Sequence, residues 1–350
     1  MIEKYYDGAI EQVAAGLGTV EKNHLLVRYS GQFSVENLND TKQLEKNEDI
    51  FVQVHEFETG EITCAYEPYL TMICDGFRRY MTGTFEEFME TCDVYYLHRP
   101  VLLGYFNQDN TGREEIILLD EVAYEQERML AALERMLCAI ADRHPVLFVL
   151  NRFQLASKST MQLTARFLKC ENCNIGLVLG VSDIQAMPEF LVPDWEMLYE
   201  TLDDGSKIYH IGNSGRKKEE TIDDEKYVDY GSEKVYRKLQ NMVEFLDFDQ
   251  AAYYLETIDR KIKFDNLLVD DAARFRMWLL FVKVSILRQD IPKALEICED
   301  LEKIHLAGKE EECAYEQDYL IATAYMYQGK LKEALEMAGE TYRIAGKNVR

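Results

Sequence analysis

Three places in this chain carry residue types and spacings that could do chemistry. The first is Gly31-Gln32-Phe33-Ser34-Val35-Glu36-Asn37-Leu38, which lies between an apolar run and a helix-like segment. A phosphate cradle of the form G-x-x-x-x-G-K-[ST] uses glycines for close backbone approach, a lysine for the phosphates and a hydroxyl for Mg²⁺. Here Gly31 holds the first position and Ser34 lies inside the loop. Glu36 replaces the second glycine, Asn37 the lysine and Leu38 the hydroxyl. Glu36 would add negative charge beside a phosphate, and Leu38 cannot ligate a metal.

The second place is the end of Val146-Leu147-Phe148-Val149-Leu150, an apolar run of the kind buried in a parallel sheet. Phosphate-handling proteins commonly place an acid after such a strand, where it holds Mg²⁺ or its water. Asn151 and Arg152 follow here instead. The third place is Cys170-Glu171-Asn172-Cys173, the one C-x-x-C. A zinc site needs a second ligand pair, and the histidines at 24, 55, 98, 144, 210 and 305 are isolated from one another. This motif reads as a turn between helix and strand, and no metal is expected. Cys138 and Cys298 fall within apolar patterns and read as small buried hydrophobes rather than parts of a disulfide framework. No G-x-S-x-G, H-E-x-x-H or glycine-rich dinucleotide fingerprint occurs, so no catalytic residue is expected.

The elements that must position these residues divide the chain by texture. Residues 1–212 alternate between helical and strand-like segments. Ile10–Leu17 reads as a helix, His24–Tyr29 as a strand, Val35–Lys46 as a helix and Asp49–Val54 as a strand. Tyr124–Ala141 carries an i, i+3, i+4 stripe of Met129, Leu130, Leu133, Met136, Leu137 and Ile140. The Val146 strand, a Lys158–Leu168 helix, an Ile175–Val181 strand, an Asp194–Leu202 helix and a Lys207–Ile211 strand follow. Strands separated by helices imply a parallel sheet covered on both faces.

Residues 213–226 are charged and nearly devoid of apolar side chains, as a linker would be. Residues 227–350 read as six amphipathic helices in pairs with short connections: Lys234–Leu246, Gln250–Ile262, Ala272–Arg288, Pro292–His305, Tyr315–Tyr327 and Leu331–Ala345. Ile321, Ala322, Tyr325, Gly329 and Ala334 have small-and-aromatic spacing that lets two helices approach closely. Trp278, Phe281, Val282 and Ala294, with Gln289-Asp290 at the turn, give a weaker copy. Ala251 or Ala252 gives a third. These alanines lie about 40 residues apart, longer than the 34 of a tetratricopeptide unit.

Composition narrows the function classes. The chain has 350 residues, enough for about two domains, and a formal net charge of -24. That surface repels phosphate backbones and anionic lipid, so neither direct nucleic-acid nor membrane binding is expected. No apolar run approaches the roughly 20 residues of a membrane span, and Met1–Tyr6 does not resemble a secretory leader. The expected compartment is the cytoplasm.

Taken in order, these segments resemble the signal-transduction ATPases with numerous domains (STAND), within the AAA-like P-loop group, followed by tetratricopeptide-type helices. The resemblance rests on the His24–Tyr29 strand with Gly31, and on Val52-Gln53-Val54-His55 leading to Tyr66-Glu67-Pro68-Tyr69-Leu70. It rests further on the Pro145-led Val146–Leu150 strand, which is similar to the family's Walker B strand, on Leu177–Ser182, and on Lys207–Gly212. The departures are Glu36, Asn37 and Leu38, Asn151 and Arg152 where the family has acids, and Asp183 where an arginine commonly stands. The family's winged-helix segment is not recognisable after Gly212. The resemblance implies an α/β P-loop-NTPase-like domain over 1–212 and a repeat domain over 227–350. Together with the losses, it implies a non-catalytic regulatory or scaffold protein that binds a protein or peptide through its helices. ATP or ADP is disfavoured as a ligand. The alternative reading is a nucleotide-sensing or weakly active STAND-type switch. The final helix ends without a polar capping helix, so the array is expected to continue in a longer parent chain or to oligomerise.

Overall fold

The computed structural model describes residues 2–17, 24–29, 49–58, 61–108, 121–170, 173–182, 187–203, 207–211, 229–301, 303–304 and 310–348. The expected Val35–Lys46 helix and the 213–226 linker lie outside them. The chain forms two compact units: Met1–Glu114 with Tyr124–Val228, and Asp229–Arg350 with Glu115–Ala123. The second unit opens on a turn in which Asp229 accepts hydrogen bonds from the Gly231 amide and the Ser232 hydroxyl. The Ser232 side chain then caps the next helix by accepting from Val235 N–H.

The first unit is built on α1 (Ile2–Gly16), β1 (Leu25–Tyr29), β2 (Phe51–Glu56), α2 (Tyr69–Tyr80), α3 (Phe85–Thr91), α4 (Arg99–Asn107), α5 (Val122–Ala141), β3 (Val146–Asn151), α6 (Lys158–Lys169), β4 (Ile175–Ser182), α7 (Val192–Asp203) and β5 (Lys207–Ile211). Its five described strands form one sheet in the order β2-β3-β4-β1-β5, and every neighbouring pair is parallel. Every residue of β3 and β4 is buried, which is why their sequences run as continuous apolar stretches rather than alternating. Ala9, Ile10 and Val13 of α1 pack on Leu25, Val27, Tyr29, Leu147, Val149 and Val178, which share one face of the sheet. Gly176 makes that approach close: a Cβ there would lie 2.5 Å from Val13 Cγ1. On the opposite face the Tyr69 ring meets Phe148 edge-on at 4.8 Å and Phe167 at 5.4 Å, so α2 and α6 cover it. Helix α5 joins them, with Glu127 and Glu134 both paired to Arg166 of α6.

Helices α3 and α4 carry no expectation from the sequence, since each is too short for a periodic stripe to stand out. Their terminal signals are local. Thr84 and Glu87 form a reciprocal capping box at the start of α3, and Pro100 sits in the first turn of α4.

The second unit consists of α8 (Glu233–Glu244), α9 (Phe248–Phe264), α10 (Asp271–Leu287), α11 (Ile291–Leu301), α12 (Glu310–Tyr327) and α13 (Leu331–Asn348). Each helix packs on its chain neighbours, and α10 also packs on α8 and α12. Three of its turns are copies of one another. Leu246, Gln289 and Gly329 adopt positive φ of 65°, 62° and 79°. In each turn the next amide bonds back five residues: Asp247 to Met242 O, Asp290 to Ser285 O, and Lys330 to Tyr325 O. This is the Schellman closure of a helix C-terminus. In each, a buried alanine then starts the return helix, with Ala251, Ala294 and Ala334 bonding to the carbonyls of Asp247, Asp290 and Lys330. Of the two residues offered for the first copy, Ala251 is therefore the equivalent one. Among the described residues no helix is long and apolar enough to cross a membrane.

Candidate functional site

In an open parallel sheet, ligands bind beyond the carboxyl ends of the strands, where the strand order reverses. Here the chain leaves β1 towards β2 at one edge of the sheet, whereas it leaves the neighbouring β4 towards β5 at the other. The crevice therefore opens beyond Tyr29 and Ser182, which are register partners. Gly31, Ser34, Glu36, Asn37, Leu38 and Asp183 all lie outside the described residues. The described rim consists of the ends of β1, β2, β3 and β4.

At that rim Asn151 is fully buried, and its side-chain oxygen accepts a 2.7 Å hydrogen bond from the Tyr29 hydroxyl. β4 lies between the two strands, and on this face it presents Gly180 next to Ser182, the register partner of Tyr29. Burial pushes the Tyr29 phenol up to about 12, against the opposing pull of the Arg152 guanidinium and the Asn151 hydrogen bond. The phenol thus stays neutral and donates. A carboxylate at position 151 would place its charge in this closed pocket; the amide that occupies it carries none.

Arg152 turns the chain directly from β3 into a short 3-10 helix, Phe153–Leu155, by adopting the left-handed region at φ 52°. Its guanidinium pairs with Glu56 at the end of β2, at 3.4 Å. The carboxylate at this end of β2 is therefore engaged with the cation that follows β3. One residue further into the 3-10 turn, buried Gln154 hydrogen-bonds both ways with the last residue of β4. Its Nε2 donates to Ser182 O at 3.1 Å, and its Oε1 accepts from Ser182 N–H at 3.3 Å. A side-chain amide thus continues the sheet where a strand would, and closes the gap between the ends of β3 and β4. Sequence reasoning missed Gln154 because a lone glutamine in a turn gives no signal until its partner, 28 residues on, is known.

The amino terminus of α6 is also taken up by the chain itself. Ser157 caps the helix by accepting from Thr160 N–H. Ser159 accepts from Tyr66 N–H, and the Thr160 hydroxyl donates to Glu67 O. Thr164 shares a 2.5 Å hydrogen bond with the Tyr69 hydroxyl. The Tyr66-Glu67-Pro68-Tyr69 segment, which contains a cis Glu67–Pro68 bond, is thereby fastened across this helix end, the kind of end that receives anions where it is left open. The structure brings Asn151 and Arg152 together with Tyr29, Glu56, Gln154 and Ser182, and this set is one of neutral amides, a neutral phenol and one paired Glu–Arg couple. It offers hydrogen bonding and strand fastening, with no carboxylate at 151 to hold a cation or take a proton. No protein-family model and no curated protein matches the chain.

Proposed function

We propose that this chain is a non-catalytic regulatory or scaffold protein: a P-loop-type α/β unit without phosphate chemistry, joined to helical hairpins that bind a protein or peptide. The observation that carries the reading is the Tyr29–Asn151 hydrogen bond. It occupies the strand end at which phosphoryl transfer needs a metal-holding acid, and without positioned cations that reaction loses most of its transition-state stabilisation. The Gln154–Ser182 amide bridge and the Arg152–Glu56 pair support the same reading, since they turn the remaining polar groups of the rim to structural use.

The three equivalent turns of the second unit support a repeat array of tetratricopeptide type with lengthened units. Exposed Tyr319, Met326, Leu331 and Leu335 on its last hairpin give apolar surface for a protein partner. The deciding experiment for the catalytic half of the proposal is a phosphate-release assay with ATP and Mg²⁺. The expected result is no turnover above the uncatalysed rate. Turnover that disappears in Asn151→Ala would contradict it.

A further inference from the structure

The C-x-x-C motif gains a third member in the fold. Cys138, in the last turns of α5, has its sulfur beside those of Cys170, at the C-cap of α6, and Cys173, two residues before β4, and all three sulfurs lie within 4.8 Å of one another. All three are thiols. We infer that Cys138, Cys170 and Cys173 form a metal site for one thiophilic d¹⁰ cation, Zn(II) or Cu(I), at the amino edge of the sheet.

The geometry fits. Zinc–sulfur bonds of about 2.3 Å in tetrahedral array put sulfurs about 3.8 Å apart, so the three need to close by at most about 1 Å. The Cys173 thiol leans on the Cys170 carbonyl at 3.6 Å, a weak contact that turning its sulfur towards a cation would give up. Cys173 is buried while Cys138 and Cys170 are half-buried, which gives a dry floor and an open side through which an ion enters. Among the described residues no fourth His, Cys, Asp or Glu joins the group. Three thiolates complete a trigonal Cu(I) site, whereas Zn(II) would take a solvent molecule or anion as its fourth ligand. Each thiol releases its proton to solvent as its sulfur–metal bond forms, and no electron moves.

Three thiolates this close repel one another, and a cation held among them offsets that repulsion. The ion would tie the end of α5, the end of α6 and the start of β4 together, on the edge of the sheet opposite the Tyr29–Asn151 rim.

The test uses the full chain, reduced and equilibrated anaerobically with Zn(II) in one arm and Cu(I) in the other. After desalting, bound ions are counted by native mass spectrometry. One ion per chain is expected in at least one arm, lost in Cys138→Ser and in Cys170→Ser and retained in Cys298→Ser, whose thiol lies in the other unit. The arm that retains the ion identifies the metal. Co(II) loading gives a second readout: a thiolate-to-metal charge-transfer band in the wild type that is absent in Cys138→Ser and Cys170→Ser and kept in Cys298→Ser. Circular dichroism shows that each variant is folded. An ion-free wild type in both arms, or full ion retention by the folded Cys138→Ser and Cys170→Ser chains, would overturn the inference.

Discussion

Tyr29 and Asn151 come from strands that do not touch, yet the bond between them spans the width of β4. Replacing Tyr29 by phenylalanine keeps the ring and removes only the hydroxyl, leaving the buried Asn151 oxygen without that donor. The expected loss is about 1–3 kcal/mol of stability, read as a lower denaturation midpoint in urea. An unchanged midpoint would mean that the bond contributes nothing to holding the rim. Lys283 gives a second residue-scale prediction. It is 8% exposed within α10, and burial lowers its ammonium to about 8, with Glu316 pulling the other way. Unfolded chain keeps that proton to about 10.5, so between these values the unfolded state binds more protons and stability rises with pH. The gain is on the order of 3 kcal/mol across that window. Cys74 and Tyr29, whose pKa values burial raises, pull the total in the opposite direction at alkaline pH. The difference between wild type and Lys283→Met therefore isolates the lysine, and it should narrow as pH climbs from 8 to 10.5. Residue roles of this kind were only partly legible in the sequence. Asn151 stood out because an acid is expected after a buried strand. Tyr29, Gln154 and Cys138 did not, because each acts through a partner 28 or more residues away.

Elements were easier to read where burial imposes a pattern. β3 and β4 are covered on both faces, so their residues had to be apolar throughout, and the two runs were visible. Helices α3 and α4 were not, because at 7 and 9 residues their starts rest on a capping box and a proline rather than on periodicity. In the second unit the alanines announced the hairpins, and Gln289-Asp290 and Gly329 were legible as turns, while the turn at Leu246, which lacks glycine and closes an expected helix, was not. Leu246 and Gln289 take the left-handed conformation that Gly329 adopts without strain. Gln289 is exposed, so Gln289→Gly should raise stability by up to about 1 kcal/mol, whereas Gln289→Val should lower it by at least as much. Thermal melts of the two variants measure this. Equal melting temperatures would show that the turn carries no backbone strain.

At the scale of the whole molecule, a formal charge of -24 acts together with the local losses. A polyphosphate approaching this surface meets repulsion, and at the sheet edge it would find an amide at 151 and an arginine already paired with Glu56. Both features support the proposal that the α/β unit carries surface rather than transforms a nucleotide. The helical unit adds three hairpins closed by equivalent turns, and in the proposed reading these extend a surface for a partner without enlarging a core. The most direct measurement is a calorimetric titration of the full chain with ATP and Mg²⁺ at low ionic strength. The account predicts heats no larger than those of dilution up to millimolar nucleotide. A saturable micromolar isotherm approaching one site per chain would contradict it.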